Sequence, residues 1–400
     1  MNVSLPAAVL AAAVLFATAP ASAQDLLVRA KTIVVAADTI LTDGAVLVRQ
    51  GKVAYVGTEI PAEARATATV IDYGDAWIVP GFVLPPTTLG RERDLAEGAL
   101  AFTPDLRAVE AFDPWQEELL QLPKHGVTSL VLSPSARNVA GGLGALVKPG
   151  AATAGGSVAT AELQLALSLS QAARNPERQP TSLMGAVDLL RTTLAAAGSG
   201  LQTGPDAAVL RSGLQGGRKI TIVADTYPEL IAALDLAKEF RFEPVLVGAR
   251  EAEKILPRLQ QQKVGLVLEP LRLDQPVARL QLPTRLAELG VPFCFGGSAD
   301  SMRFSAVLAV RAGLDRKTAL QALTRTPAQL FDQSALVGSL RQGCAGDFVV
   351  FTGDPLDLTS AHLATWIDGV RVHGDAPKTP PKAATKNQAA AAAPNQAGVR

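Results

Sequence analysis

The chain has 400 residues, 48% of them hydrophobic, and its 37 basic and 37 acidic side chains balance to zero net charge. That apolar content suffices for one large domain, or for a large and a small one. The even charge and an aromatic content of 4% speak against a basic, base-stacking surface for nucleic acid.

The first residues, MNVSLPAAVLAAAVLFATAPASAQ, form an uncharged apolar run that closes on Ala21-Ser22-Ala23. This is the pattern of an export signal cut after Ala23, so residues 1–23 are expected to be removed and the protein to be periplasmic or extracellular. No later segment offers ~20 uninterrupted apolar residues, so no membrane span is expected after cleavage.

Residues 24–80 read as short strands: LLVRAKTIVVA, GAVLVRQGKVAYVG and TATVIDYGDAWIVP. They are apolar and β-branched runs separated by Asp43-Gly44, Gln50-Gly51 and Tyr73-Gly74, and Gln50-Gly51 suits a hairpin turn. A second strand group, GDFVVFTGD and LATWIDGVRVHG, lies within residues 337–374. Neither group makes a sheet alone, so the two chain ends are expected to meet in one small β-sandwich domain.

Between them, residues 81–336 alternate helix and strand. The helix DPWQEELLQLPKHG precedes VTSLVLSP, YPELIAALDLAKEF precedes EPVLV, AREAEKILPRLQQQ precedes VGLVLEP, and LPTRLAELG precedes VPFCFGG. The helices SMRFSAVLAVRAG and DRKTALQALTRTPAQLF close the region. Wholly apolar strands fed by amphipathic helices indicate a parallel sheet covered by helices. The length favours an α/β fold of the (β/α)8 TIM-barrel type, inserted in the β domain. Within residues 135–218 only GALVK reads as a strand, with KITIV following at its far edge. Residues 375–400, rich in Pro, Ala and Lys, read as a disordered tail. Cys294 and Cys344 are the only cysteines; Cys294 lies inside an apolar run, and two separately buried thiols are expected rather than a disulfide.

PGFVLPPTTLG, GVTSLVLSPSARNVAGGLGALVKPG, PTSLMGAVDLLR, AKEFRFEPVLVGAREA, ALTRTPAQLF and VGSLRQGCAGDFVVFTGDPLD together resemble the amidohydrolase superfamily, most of all its exported, imidazolonepropionase-like branch. The resemblance runs from about residue 25 to residue 373. It implies hydrolysis of amide-type C–N bonds by water activated on one or two divalent metals, with ligands at the C-terminal ends of the barrel strands.

Carried onto this chain, the expected ligand positions fall on Pro86, Thr88, Val223, Asp225, Gly248 and Ser298. Pro86, Val223 and Gly248 have no side-chain donor, and Thr88 and Ser298 offer neutral hydroxyls. Of the three histidines, His125 precedes Gly126 at a helix end, where an imidazole caps carbonyls or meets the helix dipole, and His362 and His373 lie in the closing β segment, far in sequence from every barrel strand end, so no imidazole-rich centre is expected. Asp225, Asp300 and Glu269 are the carboxylates available near strand ends; Glu269 also reads as a partner for Arg272. Ser133, Ser135 and Asn138 in LSPSARN could hold a small polar group or simply form a turn. Lys148 and Arg303 could meet an anion, and Ser298 or Asp300 could cap a helix beginning near Met302. The reading that follows is a degenerate amidohydrolase-like protein without a cofactor. It would bind a small molecule or short peptide, self-associate, or pair with an active relative. The alternative is a zinc hydrolase of C–N bonds with a rearranged site drawing on Asp225, Asp300, Ser298 and Lys148.

Overall fold

The computed structural model describes residues 25–150, 153–200 and 202–375. The export signal and nearly all of the tail lie outside the described residues. The chain opens with β1 (Leu26–Ala36), β2 (Thr39–Arg49), β3 (Lys52–Gly57), β4 (Thr69–Asp72) and β5 (Trp77–Pro80). The turn between β2 and β3 puts both Gln50 (φ 49°) and Gly51 (φ 77°) in the left-handed region, as a two-residue hairpin demands. The chain returns at its far end with β14 (Phe348–Phe351), β15 (His362–Ile367) and β16 (Val370–Gly374). These complete one sheet in the order β16-β15-β14-β5-β1-β2-β3, with β4 pairing β1. Antiparallel β5 and β14 are the seam where the two chain ends join. Ile33, Ile78, Phe348 and Val350 bury one face of this sheet.

The second sheet contains β6 (Phe82–Thr87), β7 (Val127–Leu132), β8 (Ala140–Lys148), β9 (Ser157–Ser168), β10 (Lys219–Ala224), β11 (Pro244–Gly248), β12 (Gly265–Leu268) and β13 (Phe293–Phe295). They neighbour one another in chain order, which makes a nearly closed (β/α)8-like barrel. Val83, Val131, Val245, Val267 and Cys294 form one buried cluster with Ala328, Leu330 and Phe331 from the helix Arg325–Leu330 and the residue after it. Phe82, Leu84, Leu130, Ile222, Leu246 and Phe295 face the outer helices in a larger cluster. This in-and-out alternation follows from the period of a strand. Each fully buried aliphatic side chain contributes about 1.5–3 kcal/mol by transfer from water. β6 and β13 do not pair among the described residues; instead the Val83 N–H donates to the Leu323 carbonyl at 3.0 Å.

The weakly read stretch holds the main departure from expectation. β8 is antiparallel to both β7 and β9, so one of the eight strands breaks the parallel pattern. β9 was hidden in sequence because its first half, SVATAE, is largely exposed and only LQLALS is buried. Helices Leu183–Gly198 and Pro205–Leu214 then precede β10. Two expected long helices are interrupted. AREAEKILPRLQQQ is a 3-10 turn followed by Leu256–Gln261, and DRKTALQALTRTPAQLF divides into Arg316–Gln321 and Arg325–Leu330. Pro257 and Pro327 each lie near the start of the later piece, where the missing N–H costs nothing.

Two contacts orient the barrel against the β domain. Gly81 sits so close to Thr128 that a Cβ there would lie 1.9 Å from its hydroxyl oxygen. The Pro80-Gly81-Phe82 turn therefore requires glycine. Lys148, at the end of β8, reaches across to Asp347 at 3.0 Å and Asp368 at 2.6 Å. Burial pushes the Asp347 carboxyl up against the pull of Lys148. Despite burial, the two carboxylates hold the ammonium above its ordinary value. Cys294 and Cys344 are both free and buried.

Candidate functional site

The mouth of the barrel is built from the residues that follow the parallel strands. Near its end β6 carries Pro85 and Pro86, which have no N–H for the ladder. Its register with β7 jumps from Leu84↔Leu130 to Thr87↔Leu132. Pairing resumes when the Ser133 N–H donates to the Thr87 carbonyl at 2.9 Å, and the Thr87 hydroxyl accepts the Leu89 N–H at 3.1 Å. Thr87 is thus committed to its own backbone, and the two prolines stiffen the strand end.

Across the mouth, Asp225 follows β10. The next helix, Tyr227–Phe240, starts with a capping box in which Thr226 is the N-cap and Glu229 the reciprocal acceptor. One Glu229 oxygen accepts the N–H groups of Asp225 and Thr226 at 2.9 and 3.0 Å, and the other pairs with Arg174. Asp225 is therefore next to the cap rather than the cap itself. Its Oδ1 is buried without a hydrogen-bond partner. Its Oδ2 lies 3.9 Å from Arg250.

Glu269 follows β12 and takes Arg250 at 3.0 Å, with Arg279 at 3.9 Å. Its expected partner Arg272 is held instead by Asp274 two residues on. Arg279 is buried to 9% exposure. It donates to the Arg250 carbonyl at 2.6 Å and lies 3.7 Å from Glu253. Burial first and then the Glu269 charge raise the Asp225 carboxyl, with Arg250 pulling the other way. The mouth therefore holds an alternating set of carboxylates and guanidiniums.

Gly248, at the end of β11, shows how closely this set is packed. It has φ +94°, and a Cβ added there would lie 2.2 Å from the Asp225 Oδ1. The Asp225 carboxylate thus fills the space that any side chain at 248 would need. A divalent metal does not fit this donor set. Pro86, Val223 and Gly248 supply nothing, and Asp225 and Glu269 face guanidiniums that a second cation would have to displace. Among the described residues no group of three or more His, Cys, Asp or Glu is arranged to hold a metal ion.

The remaining sequence candidates are dispersed. The Ser133 hydroxyl accepts from the Gln164 amide at 3.2 Å, and Ser135 accepts the Arg137 N–H at 3.4 Å in a turn. Asn138 donates to the carbonyls of Glu97 and Leu100 at 2.9 and 2.6 Å, leaving its own oxygen buried and unpartnered. Lys148 is at the domain joint described above, away from the mouth residues. Ser298 is the N-cap of the helix Ala299–Arg311, which starts three residues earlier than expected; its hydroxyl donates to the Ser301 hydroxyl at 3.2 Å.

Asp300 stands in the first turn of that helix. Its carboxyl is held low chiefly by the Ser298 hydroxyl, with His125 contributing. Asp225 instead answers to Glu269, Arg250, Glu229 and Arg279, so the two aspartates have separate surroundings. Arg303 donates to the carbonyls of Pro355, Asp357 and Ser360 and lies over the Phe351 ring, 4.8 Å from its centre.

Sequence reasoning missed one convergence. His362 and His373 lie with tilted rings, their centres 5.2 Å apart, and Lys124 and His125 lie close enough for their charges to act on His373. The three histidines meet because β15 and β16 return against the 3-10 turn Leu122–His125.

The (β/α)8-like barrel beside a sheet made from both chain ends is a fold this chain shares with solved amidohydrolase structures. The family model described as "Amidohydrolase family" matches residues 296–373. An amidohydrolase from Thermotoga maritima superimposes with a TM-score of 0.77 at 22% identity, covering 88% of this chain and 100% of the other. Molinate hydrolase gives 0.55 at 14% identity over 94% of this chain and 99% of its own. Phenylurea hydrolase B gives 0.52 at 14% identity over 87% and 96%. A search of curated protein sequences finds no significant match.

Proposed function

We propose that this protein is an exported, non-catalytic variant of the amidohydrolase fold that works by binding a small molecule or short peptide. The observation that carries the reading is the mouth itself: Asp225 and Glu269 are engaged by Arg250 and Arg279, and Asp225 occupies the space at Gly248. Hydrolysis of an amide needs a group that activates water and a general base free to take its proton. Glu269 is taken up by the Arg250 guanidinium, and Asp225 lies between Arg250 and Gly248 with no group of metal-holding side chains around it among the described residues. The N-terminal run ending in Ala21-Ser22-Ala23 supports export. Self-association, or pairing with an active relative, would be a further way for such a barrel to act.

The test is to purify the secreted chain, measure its zinc and manganese content, and assay it with dipeptides and cyclic amides. The reading predicts substoichiometric metal and no turnover above buffer. Stoichiometric metal with hydrolysis that chelation abolishes would establish the rearranged hydrolase in its place.

A further inference from the structure

A further opening lies on the flank where the helix Ala299–Arg311 meets the β domain, and it borders the mouth at Pro270 and Ser298. It is a cavity of about 700 Å³, and its lining includes Lys124, His125, Arg303, Phe304, Phe351 and Leu358. Barrel and β domain each contribute walls, and domain junctions are a preferred place for ligand sites.

Its charge balance differs from that of the mouth. Arg303 is half-buried and satisfies its guanidinium with three backbone carbonyls, which are dipoles and carry no countercharge. The carboxylates that act on it, Asp354 and Asp357, are engaged elsewhere. Asp354 holds Arg316, and Asp357 accepts the Thr359 N–H and hydroxyl at 2.9 Å. Lys124 is exposed at the same cavity. The opposing acid is Asp300, whose charge is already stabilised by Ser298. The apolar side is equally unfinished: Leu358 is 51% exposed and Leu273, also on the lining, is 72% exposed.

Cations whose nearby carboxylates are engaged elsewhere, beside a half-buried Phe304 and exposed Leu273 and Leu358, define a complementary ligand. From this geometry we infer that the flank cavity binds a small organic anion, a carboxylate joined to an aromatic or medium-length aliphatic body. The carboxylate sits between Lys124 and Arg303, and the apolar body lies against Phe304, Leu273 and Leu358. The same chemistry is offered by a free acid and by the C-terminal residue of a short peptide. This inference rests on the reading of the protein as a binder and gives that reading a site.

Isothermal titration of the purified full chain with 3-phenylpropionate, with its neutral amide, and with Ala-Ala-Phe tests it. The expected result is saturable binding of at least one carboxylate and at least tenfold weaker binding of the amide. The tighter of the acid and the peptide identifies the natural form of the ligand. Lys124→Gln should weaken binding roughly three- to tenfold, and Asp300→Asn should strengthen it by a similar factor. Because Arg303 also anchors a loop, Arg303→Gln is read only alongside its thermal melt, and the two exposed variants keep the test decisive. Equal binding of acid and amide, indifference to both Lys124→Gln and Asp300→Asn, or loss of binding in Arg250→Gln alone would overturn the flank site. So would no binding of either carboxylate. None of these outcomes alters the metal and turnover assays, so failure of the flank site and failure of the non-catalytic reading are told apart.

Discussion

The mouth and the flank of this barrel carry similar residues and settle their charges in opposite ways. At the mouth, Arg174, Arg250 and Arg279 meet Asp225, Glu229, Glu253 and Glu269. On the flank, Arg303 meets carbonyls and Lys124 meets solvent. Charges that already face opposite ones have less to offer a ligand than unopposed ones, and at the mouth the buried Asp225 Oδ1 is the acceptor left without a partner. An incompletely neutralised set gains by acquiring an anion. The barrel thus sets its mouth charges against one another and leaves the less neutralised charge on the flank.

The largest expected effect comes from opening the mouth. Arg279→Ala leaves Glu253 without its buried counter-charge and Glu269 with Arg250 alone. Urea denaturation should show a loss of about 3 kcal/mol. A change under 1 kcal/mol would mean that the network is solvent-screened and that the mouth is less closed than described. Gly248→His, which places an imidazole at the end of β11, must accommodate both φ +94° and the contact with Asp225. It should cost about 2–3 kcal/mol and confer no zinc binding by titration; tight zinc binding would show that the mouth can be rebuilt by one side chain.

On the flank, Arg303→Gln removes a guanidinium held by three carbonyls from the loop around Pro355 and Ser360. A loss of about 1–2 kcal/mol is expected, with limited proteolysis falling selectively in that loop. Uniform cleavage elsewhere would deny Arg303 its anchoring role. The smallest effect is a pH dependence at His362. Burial, its largest cause, pushes this imidazole down from 6.5 to about 4. Its Nδ1 lies 2.9 Å from the Lys124 carbonyl and its Nε2 lies 2.8 Å from the Thr365 hydroxyl. Since the unfolded chain takes up the proton first, the His362 contribution is whole above about pH 6.5 and declines as pH falls toward 4. Each unit of displacement is worth about 1.4 kcal/mol. Partial exposure reduces the total to roughly 1–2 kcal/mol. Stability measured from pH 7 to 4 should flatten in His362→Gln; an unchanged slope would assign the pH dependence to other groups.

Much of the fold was legible in one dimension. The strands VTSLVL, KITIV, PVLV, GLVL and FCF are short apolar runs with clear stops, and buried parallel strands look like that. β9 was not, because half of it extends past the buried sheet as an exposed hairpin arm with Ser, Ala and Thr on it. The missing donors at Pro86, Val223 and Gly248 could be read residue by residue. What replaced them could not be: Arg174, Arg250 and Arg279 reach the mouth from three separate segments, and ion pairs between segments leave no spacing signature. The same holds for His125, His362 and His373, which only the return of the closing strands brings together.

The most direct test of the central claim is equilibrium zinc titration of the purified chain, followed by isothermal calorimetry at neutral pH. If Asp225 and Glu269 are committed to Arg250 and Arg279, zinc gives no stoichiometric binding isotherm, and Asp225→Ala leaves the trace unchanged. One or two equivalents of zinc bound at micromolar affinity or tighter, and lost in Asp225→Ala, would contradict the account.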